Sequence, residues 1–378
     1  MAADPHLRSP SGRPRARGLG IPFPGTPGRW NAITDVPGLE VGYATLVEGT
    51  DVRTGVTGIH PRGRADRGDP CAAGFHSHNG NGEMTGLAWI AESGTTSGPL
   101  AITNTHSIGA AHEGVVRWIV AHHDEPADTW FLPVVAETWD GWLNDVSGLH
   151  VRPEHAVAAL DAAASGPLEE GSVGGGTGMN CYSYKAGTGT ASRLVEHAGE
   201  TYTVGVLVQA NFGGRAELTV AGVPVGLEMT DDDPLGEWEP APPGAGSIIG
   251  IVVTDAPLLP QQCAALARRM PIGVARTGSS VSHFSGDLFL GLSVGNPGAF
   301  TPGAPGGVPI GLDTLRFVPW GSVDPLLVAT VAATEEAILN ALVAAEEMVG
   351  FRGHRTPAMP HDRLVELLRA AGRIPGGR

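Results

Sequence analysis

Apolar residues follow two rhythms in this chain. From Trp30 onward, "GLEVGYATL" and "VRTGVTGI" alternate apolar with polar or small residues and are bounded by turn formers. That period of two predicts short strands. "LAWIAES" and "PLAITNTHSIG" read as two more. The period then changes. In "GAAHEGVVRWIVAHH", Val115, Val116, Ile119 and Val120 recur at helical spacing. "RPEHAVAALDAAASG" predicts a helix with Pro153 in its first turn and Gly166 beyond its end. "TYTVGVLVQANFG" is apolar throughout and predicts a buried strand ending at Asn211.

Past the middle, "SIIGIVVTD" and "DLFLGLSVGN" predict two further strands, and "LPQQCAALARRM" a helix with arginines in its last turn. "DPLLVATVAATEEAILNALVAAEEMVG" predicts a long helix opened by Asp324 and Pro325 and closed by Gly350. "HDRLVELLRAAG" predicts a last short one. Strands and helices mix throughout without an internal repeat, so the fold class is layered α/β. Between the halves, residues 226–246, "GLEMTDDDPLGEWEPAPPGAG", are acidic, proline-rich and aperiodic, which predicts a linker. The part that follows has too few strands to form a domain alone. Residues 30–378 are therefore expected to be one domain whose two segments share a sheet, after a disordered tail at 1–29.

Composition narrows the partners. A formal charge of −15 and no dense Lys/Arg stripe outside the N-terminal tail argue against nucleic acid. Lys185 is the only lysine. Cys71, Cys181 and Cys263 lie far apart without CxxC spacing, so neither a disulfide framework nor a structural zinc site is expected. No uninterrupted apolar run approaches the roughly 18 residues of a membrane span. "MAADPHLRSPSGRPRARGLG" has no apolar signal core, so a cytoplasmic location is expected. Glycine, 56 of 378 residues, is about twice its usual share of about 7% and shows no collagen period, which points to many tight turns.

Five stretches could carry chemistry. Gly246-Ser247 joins the linker to a strand. A serine hydroxyl can attack the preceding carbonyl, and water can then cut the resulting ester. The new terminal serine would hold a nucleophilic hydroxyl beside an α-amine of pKa about 7.7–8.0, able to accept its proton. Taken by itself, Gly-Ser is also an ordinary loop-to-strand joint. "GLSVG" matches a nucleophile elbow at Ser293, with Asp313 and His354 in suitable order, but the proline-rich run after it opposes the helix an elbow needs. His76, His78 and Glu83 in "HSHNGNGE" could ligate a metal, though most of the 14 histidines are expected to be structural. "GGGTG" lacks the phosphate-loop pattern and predicts close backbone packing. Ser285 and Asp287 in "FSGD" are two apart, so on a strand they share a face, where a carboxylate can orient a hydroxyl.

Taken in order, these stretches cease to be independent. "GAGSIIGIVVTDAPLLPQQC", "ARTGS" and "SGDLFL" strongly resemble the L-aminopeptidase/D-esterase family, which includes the β-aminopeptidases. "VRTGVTGI", "NGNGEMTGL", "ITNTHSIG", "VVAETWDGWLND", "GGGTGM", "VLVQANFG" and "ATEEAILNAL" match in the same order, over about Asn31 to Pro360. The resemblance implies a four-layer α/β/β/α sandwich and a precursor that cuts itself between Gly246 and Ser247, giving chains 1–246 and 247–378. It implies Ser247 as nucleophile, Ser285 as a second serine with Asp287 as its acidic partner, Asn211 in the oxyanion hole and Glu137 near the substrate amine. It further implies small peptide, amide or ester substrates with a free amine, no cofactor, and a tetramer of cleaved heterodimers. Relatives often read E-T-Y-D-G where this chain has Glu137-Thr138-Trp139-Asp140-Gly141, so Trp139 stands in place of a tyrosine hydroxyl and offers an indole N–H at a different reach. An acyl transferase of the ornithine acetyltransferase type, whose nucleophile is threonine, and an uncleaved scaffold are the rival readings.

Overall fold

Neighbouring strand runs pair first as hairpins. In a computed structural model, which describes residues 4–65, 68–122, 130–236, 246–280, 282–300 and 311–375, β1 (Glu40–Glu48) and β2 (Val52–His60) pair antiparallel, with Glu48 opposite Val52 across a tight turn. Then follow β3 (Cys71–Gly80), α1 (Leu87–Ser93), β4 (Thr95–Thr96), β5 (Leu100–Asn104), α2 (Ile108–His122), β6 (Val134–Thr138) and α3 (Pro153–Asp161). A small ladder joins β7 (Asn180–Cys181) to β8 (Tyr184–Lys185). β9 (Thr188–His197) and β10 (Glu200–Asn211) turn through Ala198 and Gly199, both at positive φ, 53° and 81°. Positive φ at both turn residues matches the natural strand twist in a two-residue hairpin. The second segment supplies β11 (Ser247–Thr254), α4 (Pro260–Ala267), α5 (Met270–Arg276), β12 (Gly286–Ser293), α6 (Asp324–Val343), β13 (Met348–Val349), β14 (Arg355–Thr356) and α7 (His361–Ala370).

Two mixed sheets result. One has the order β1-β2-β5-β6, the other β4-β3-β12-β11-β10-β9. β11 is apolar on both faces because both are covered. Ile249, Ile251 and Val253 meet Ile59, Ile102 and Val134 of the other sheet. Ile248 and Val252 point the opposite way, into a cluster with Leu266, Val274, Ile338 and Leu342 from α4, α5 and α6. On the other sheet's outer side, Val115, Trp118 and Ile119 of α2 and Leu160 of α3 pack on Val56, Ala101 and Val135. β11 and β12, from the second segment, lie side by side between β3 and β10 of the first.

Several expectations change. "LAWIAES" is helix α1, held between Gly86 and Gly94 at φ 78° and 70°; a seven-residue apolar run does not reveal its period. The long helix stops at Val343, and Met348–Val349 already forms a strand, so Gly350 does not close it. By length and composition α6 could cross a membrane, although its sequence has no unbroken apolar run of that length. Its apolar window is 89% buried, which is the burial of a core helix. Residues 4–29 are not a loose tail. Arg15 Nε donates to Glu170 at 2.6 Å, Arg17 Nε to Glu336 at 2.6 Å, and the Ala16 N–H to Asn340 Oδ1 at 2.9 Å. Distant buried carboxylates, invisible in local composition, hold them. The first part of the expected linker is packed too: Met229 is buried, and the carbonyls of Met229, Asp231 and Asp232 accept hydrogen bonds from Arg215. Residues 237–245 lie outside the described residues.

Candidate active site

Three strand ends converge. β10 ends at Asn211, opposite Ser247 at the start of β11, and Gly286 at the start of β12 pairs with Ser247 from the other side. Ser247 is 6% exposed and lies on the wall of a cavity of about 1070 Å³. The Gly286 N–H points to this joint, 3.1 Å from Ser247 Oγ and 3.3 Å from the Gly246 carbonyl oxygen. A Cβ added at Gly246 would lie 2.1 Å from the Asn211 carbonyl oxygen and 2.8 Å from Phe212 Cα, so only glycine fits here.

Behind Ser247 lies a buried carboxylate. Asp287 Oδ1 accepts the Ser285 hydroxyl at 2.6 Å and the Ile248 N–H at 3.2 Å, and Oδ2 accepts the Asn79 amide at 2.7 Å. Asn79 faces Asp287 across the β3–β12 ladder, where the register shifts. Burial raises the Asp287 pKa; the hydrogen bonds from Ser285 and Asn79 oppose it without cancelling it. Ser285 and Asp287 are fully buried and do not line the cavity. Asp287 touches the strand that begins at Ser247 through the Ile248 N–H.

On the cavity wall, Asn211 is fixed at both ends of its amide. Its Oδ1 accepts the Asn180 N–H at 2.9 Å, and its Nδ2 donates to the Trp139 carbonyl at 2.8 Å. An amide nitrogen carries two hydrogens, so one remains for a ligand. Glu137, 3% exposed, also lines the cavity. Its Oε1 accepts the Glu83 N–H at 2.9 Å, and its Oε2 takes a short hydrogen bond from the Thr105 hydroxyl. Burial raises its pKa. The Trp139 indole folds over Gly141, where an added Cβ would meet Cζ2 at 2.4 Å. The residue's contact with Asn211 is made by its backbone carbonyl, not by the indole N–H.

The sequence profile of peptidase family S58 matches residues 31–356. The chain belongs to that family. It is 46% identical over 387 residues to the beta-peptidyl aminopeptidase BapA of Sphingosinicella microcystinivorans, covering 97% of this chain and 94% of that protein. The solved L-aminopeptidase D-Ala-esterase/amidase of Ochrobactrum anthropi, described as a prototype for the serine aminopeptidases and a variant of the Ntn hydrolase fold, is 44% identical. It superposes with a TM-score of 0.89 over 96% of this chain and 100% of that one. A Burkholderia sp. beta-aminopeptidase gives 45% and 0.87 over 96% and 100%. This S58 peptidase is accordingly a serine aminopeptidase with an α/β fold related to the Ntn hydrolases.

The other candidate groups of the S58 peptidase are not gathered into a site. Ser293 lies at the far end of β12, donates to the Ala256 carbonyl at 2.6 Å and accepts the Leu258 N–H at 3.2 Å. His354 stacks on Trp142 at 4.0 Å, and Asp313 is in the exposed stretch after residue 310. His76 and His78 meet edge to face at 5.9 Å, while Glu83 reaches Glu137 through its N–H. In "GGGTG", a Cβ at Gly175 would lie 2.3 Å from Gln209 Oε1, so the cluster is a packing device. Sequence reasoning gave no role to Asn79, Thr105, Asn180 or the Gly286 N–H. Asn79 and Thr105 sit inside motifs that carried the resemblance, but only the strand pairing discloses their partners.

Proposed function

We propose that the chain is made as a precursor that cuts itself between Gly246 and Ser247, and that the new N-terminal serine removes N-terminal aminoacyl groups from small peptides, amides and esters. The observation carrying this reading is the single Gly286 N–H shared by the Ser247 hydroxyl and the Gly246 carbonyl, at a position with room for no side chain. It holds nucleophile and electrophile together and supplies a donor for charge developing on the carbonyl oxygen. In the self-cleavage, Oγ bonds to the Gly246 carbonyl carbon and the C–N bond breaks. The hydroxyl proton passes to the departing amine. Water then cuts the ester, leaving the Gly246 carboxylate and restoring the hydroxyl.

In turnover, the substrate ammonium sits against Glu137 as a charge-assisted pair. Ser247 Oγ attacks the substrate carbonyl, and the serine's own α-amine takes the proton. The remaining Asn211 N–H donates to the oxyanion, a contact worth roughly 3–4 kcal/mol of barrier in comparable sites. The Ser285–Asp287 pair supports the amine's positive charge. The amine's proton passes to the leaving nitrogen, and water releases the acyl group. The names of the relatives support β-aminoacyl substrates within this class. The helices outside the two facing sheets support a four-layer α/β/β/α arrangement shared by both segments. A tetramer of cleaved heterodimers and a cytoplasmic location complete the proposal. Mass spectrometry of the purified protein tests it: a fragment beginning Ser-Ile-Ile-Gly is expected, with a single intact chain in Ser247→Ala. Cleavage persisting at that bond in Ser247→Ala refutes self-processing by this serine.

A further inference from the structure

Lys185, on β8, is the chain's only lysine; it is fully buried and does not line the cavity. Its Nζ donates to two main-chain carbonyls, Met179 at 2.6 Å and Ala186 at 2.8 Å, and to no described carboxylate. Burial pushes its pKa down to about 7. The ammonium has three N–H groups and the neutral amine two, so both carbonyls keep a donor in either state. An amine buried among neutral partners lowers stability, and an apolar side chain of that volume would occupy the place at less cost. Sealed from the cavity, the amine reaches no substrate.

Its first partner leads to the active site. The Met179 carbonyl and the Asn180 N–H are the two ends of one planar trans peptide, so they point in opposite directions. The carbonyl oxygen accepts from Lys185 Nζ, and the N–H donates to Asn211 Oδ1 at 2.9 Å. Asn211 Oδ1 and Nδ2 are likewise two ends of one amide. Nδ2 gives one hydrogen to the Trp139 carbonyl at 2.8 Å and has one left for the oxyanion. Amine, peptide and carboxamide therefore form a file of hydrogen bonds in which each amide accepts at its oxygen and donates at its nitrogen. Each link polarises the next, by roughly 10–30% per bond. The Ala186 N–H, 3.2 Å from the same Met179 oxygen, keeps that carbonyl satisfied when the amine is removed.

We propose that Lys185 is a positioning residue for the oxyanion hole: through the Met179–Asn180 peptide it fixes the Asn211 amide and strengthens its remaining N–H as a donor to the oxyanion. This rests on the reading of Asn211 as the oxyanion donor. Lys185→Met keeps the side chain's bulk and removes the donor. On β-alanyl p-nitroanilide it should lower kcat roughly tenfold and leave KM within about twofold, because the oxyanion exists only in the tetrahedral state. Its chain pattern on denaturing electrophoresis should match the wild type, since the Gly246 carbonyl takes its donor from Gly286. Asn211→Ala and the double variant complete a cycle. If Lys185 acts through Asn211, its replacement costs less than about twofold in kcat once Asn211 is alanine. Losses that multiply across the two sites, or an unchanged kcat in Lys185→Met, overturn the proposal. Lys185→Leu enters the same cycle where the methionine variant does not fold. Asn211→Ala alone keeps the two claims apart: wild-type kcat there removes the oxyanion reading and the proposal with it, whereas a large loss there with multiplying losses removes the proposal alone.

Discussion

Removing the Asn79 amide should shift the acidic limb of catalysis upward while largely keeping its plateau. Asp287 is fully buried, and burial already raises its pKa. Its carboxylate form is held by the Ser285 hydroxyl and the Ile248 N–H on Oδ1, and by Asn79 at 2.7 Å on Oδ2. Asn79→Ala takes away the only donor that a described residue gives to Oδ2. A hydrogen bond to a charged group is worth about 1.5–3 kcal/mol, and a pH unit corresponds to about 1.4 kcal/mol. The acidic limb should therefore move up by about 1–2 pH units. The sign follows from which form the bond favours. Its loss favours the protonated acid, so the proton is kept to higher pH and activity that needs the carboxylate disappears earlier on acidification. The assay is kcat/KM for a β-alanyl p-nitroanilide as a function of pH, on wild type and variant. Asn79 also donates to the Ser282 carbonyl at 3.1 Å. A variant with a lowered plateau and an unmoved limb would show that Asn79 only braces that loop, and the reasoning about Asp287 would fail.

Three other perturbations follow from the same geometry. Gly246→Val drives a side chain into the Asn211 carbonyl, 2.1 Å from the Cβ position, so the purified protein should stay one full-length chain on denaturing electrophoresis; two bands at wild-type yield would contradict this. Glu137→Gln should raise KM for free-amine substrates far more than it slows self-cleavage, and N-acetylated substrates should be poor for the wild type; equal wild-type turnover of free and acetylated anilides would remove the amine-recognition role. Glu336→Ala deletes a fully buried carboxylate that accepts from Arg17, Asn31 and Arg193, stranding an Arg193 only 1% exposed at its side chain, and should lower stability in urea by about 3–5 kcal/mol on the uncleaved Ser247→Ala background. Burial pushes the Glu336 pKa up, but Arg193, Arg17 and Asn31 outweigh it and hold the value below the usual range. This stabilisation is present above the unfolded pKa of about 4.3 and is lost as pH falls through the folded value; wild type and variant should converge at acid pH.

What the sequence disclosed depended on distance along the chain. Ser285 and Asp287, two apart, do bring hydroxyl and carboxylate together at 2.6 Å, although Ser285 stands just before β12 and only Asp287 is on the strand. The apolar run of β11 likewise carries its own double-sided burial. The pairing of Asn79 with Asp287 spans most of the chain, and no local rule relates an asparagine in "HNGNGE" to an aspartate in "FSGD". Arg15 and Arg17 mislead for the same reason: their proline- and arginine-rich surroundings have the composition of a tail, yet Glu170 and Glu336 await them in the core. Glu336 also bears on how the protein could survive a cut at Gly246. It lies on α6 of the second segment, while its three partners, Arg17, Asn31 and Arg193, belong to the first. The strands that would be newly separated by such a cut, β11 and β12, are flanked on both sides by β10 and β3 of the first segment. A break at that bond therefore interrupts covalent continuity at the start of a strand without removing any ladder or ion pair described between the segments. The same interleaving that hides the site's partners from a reading of the sequence would leave the two products of such a cut a shared sheet and a shared core.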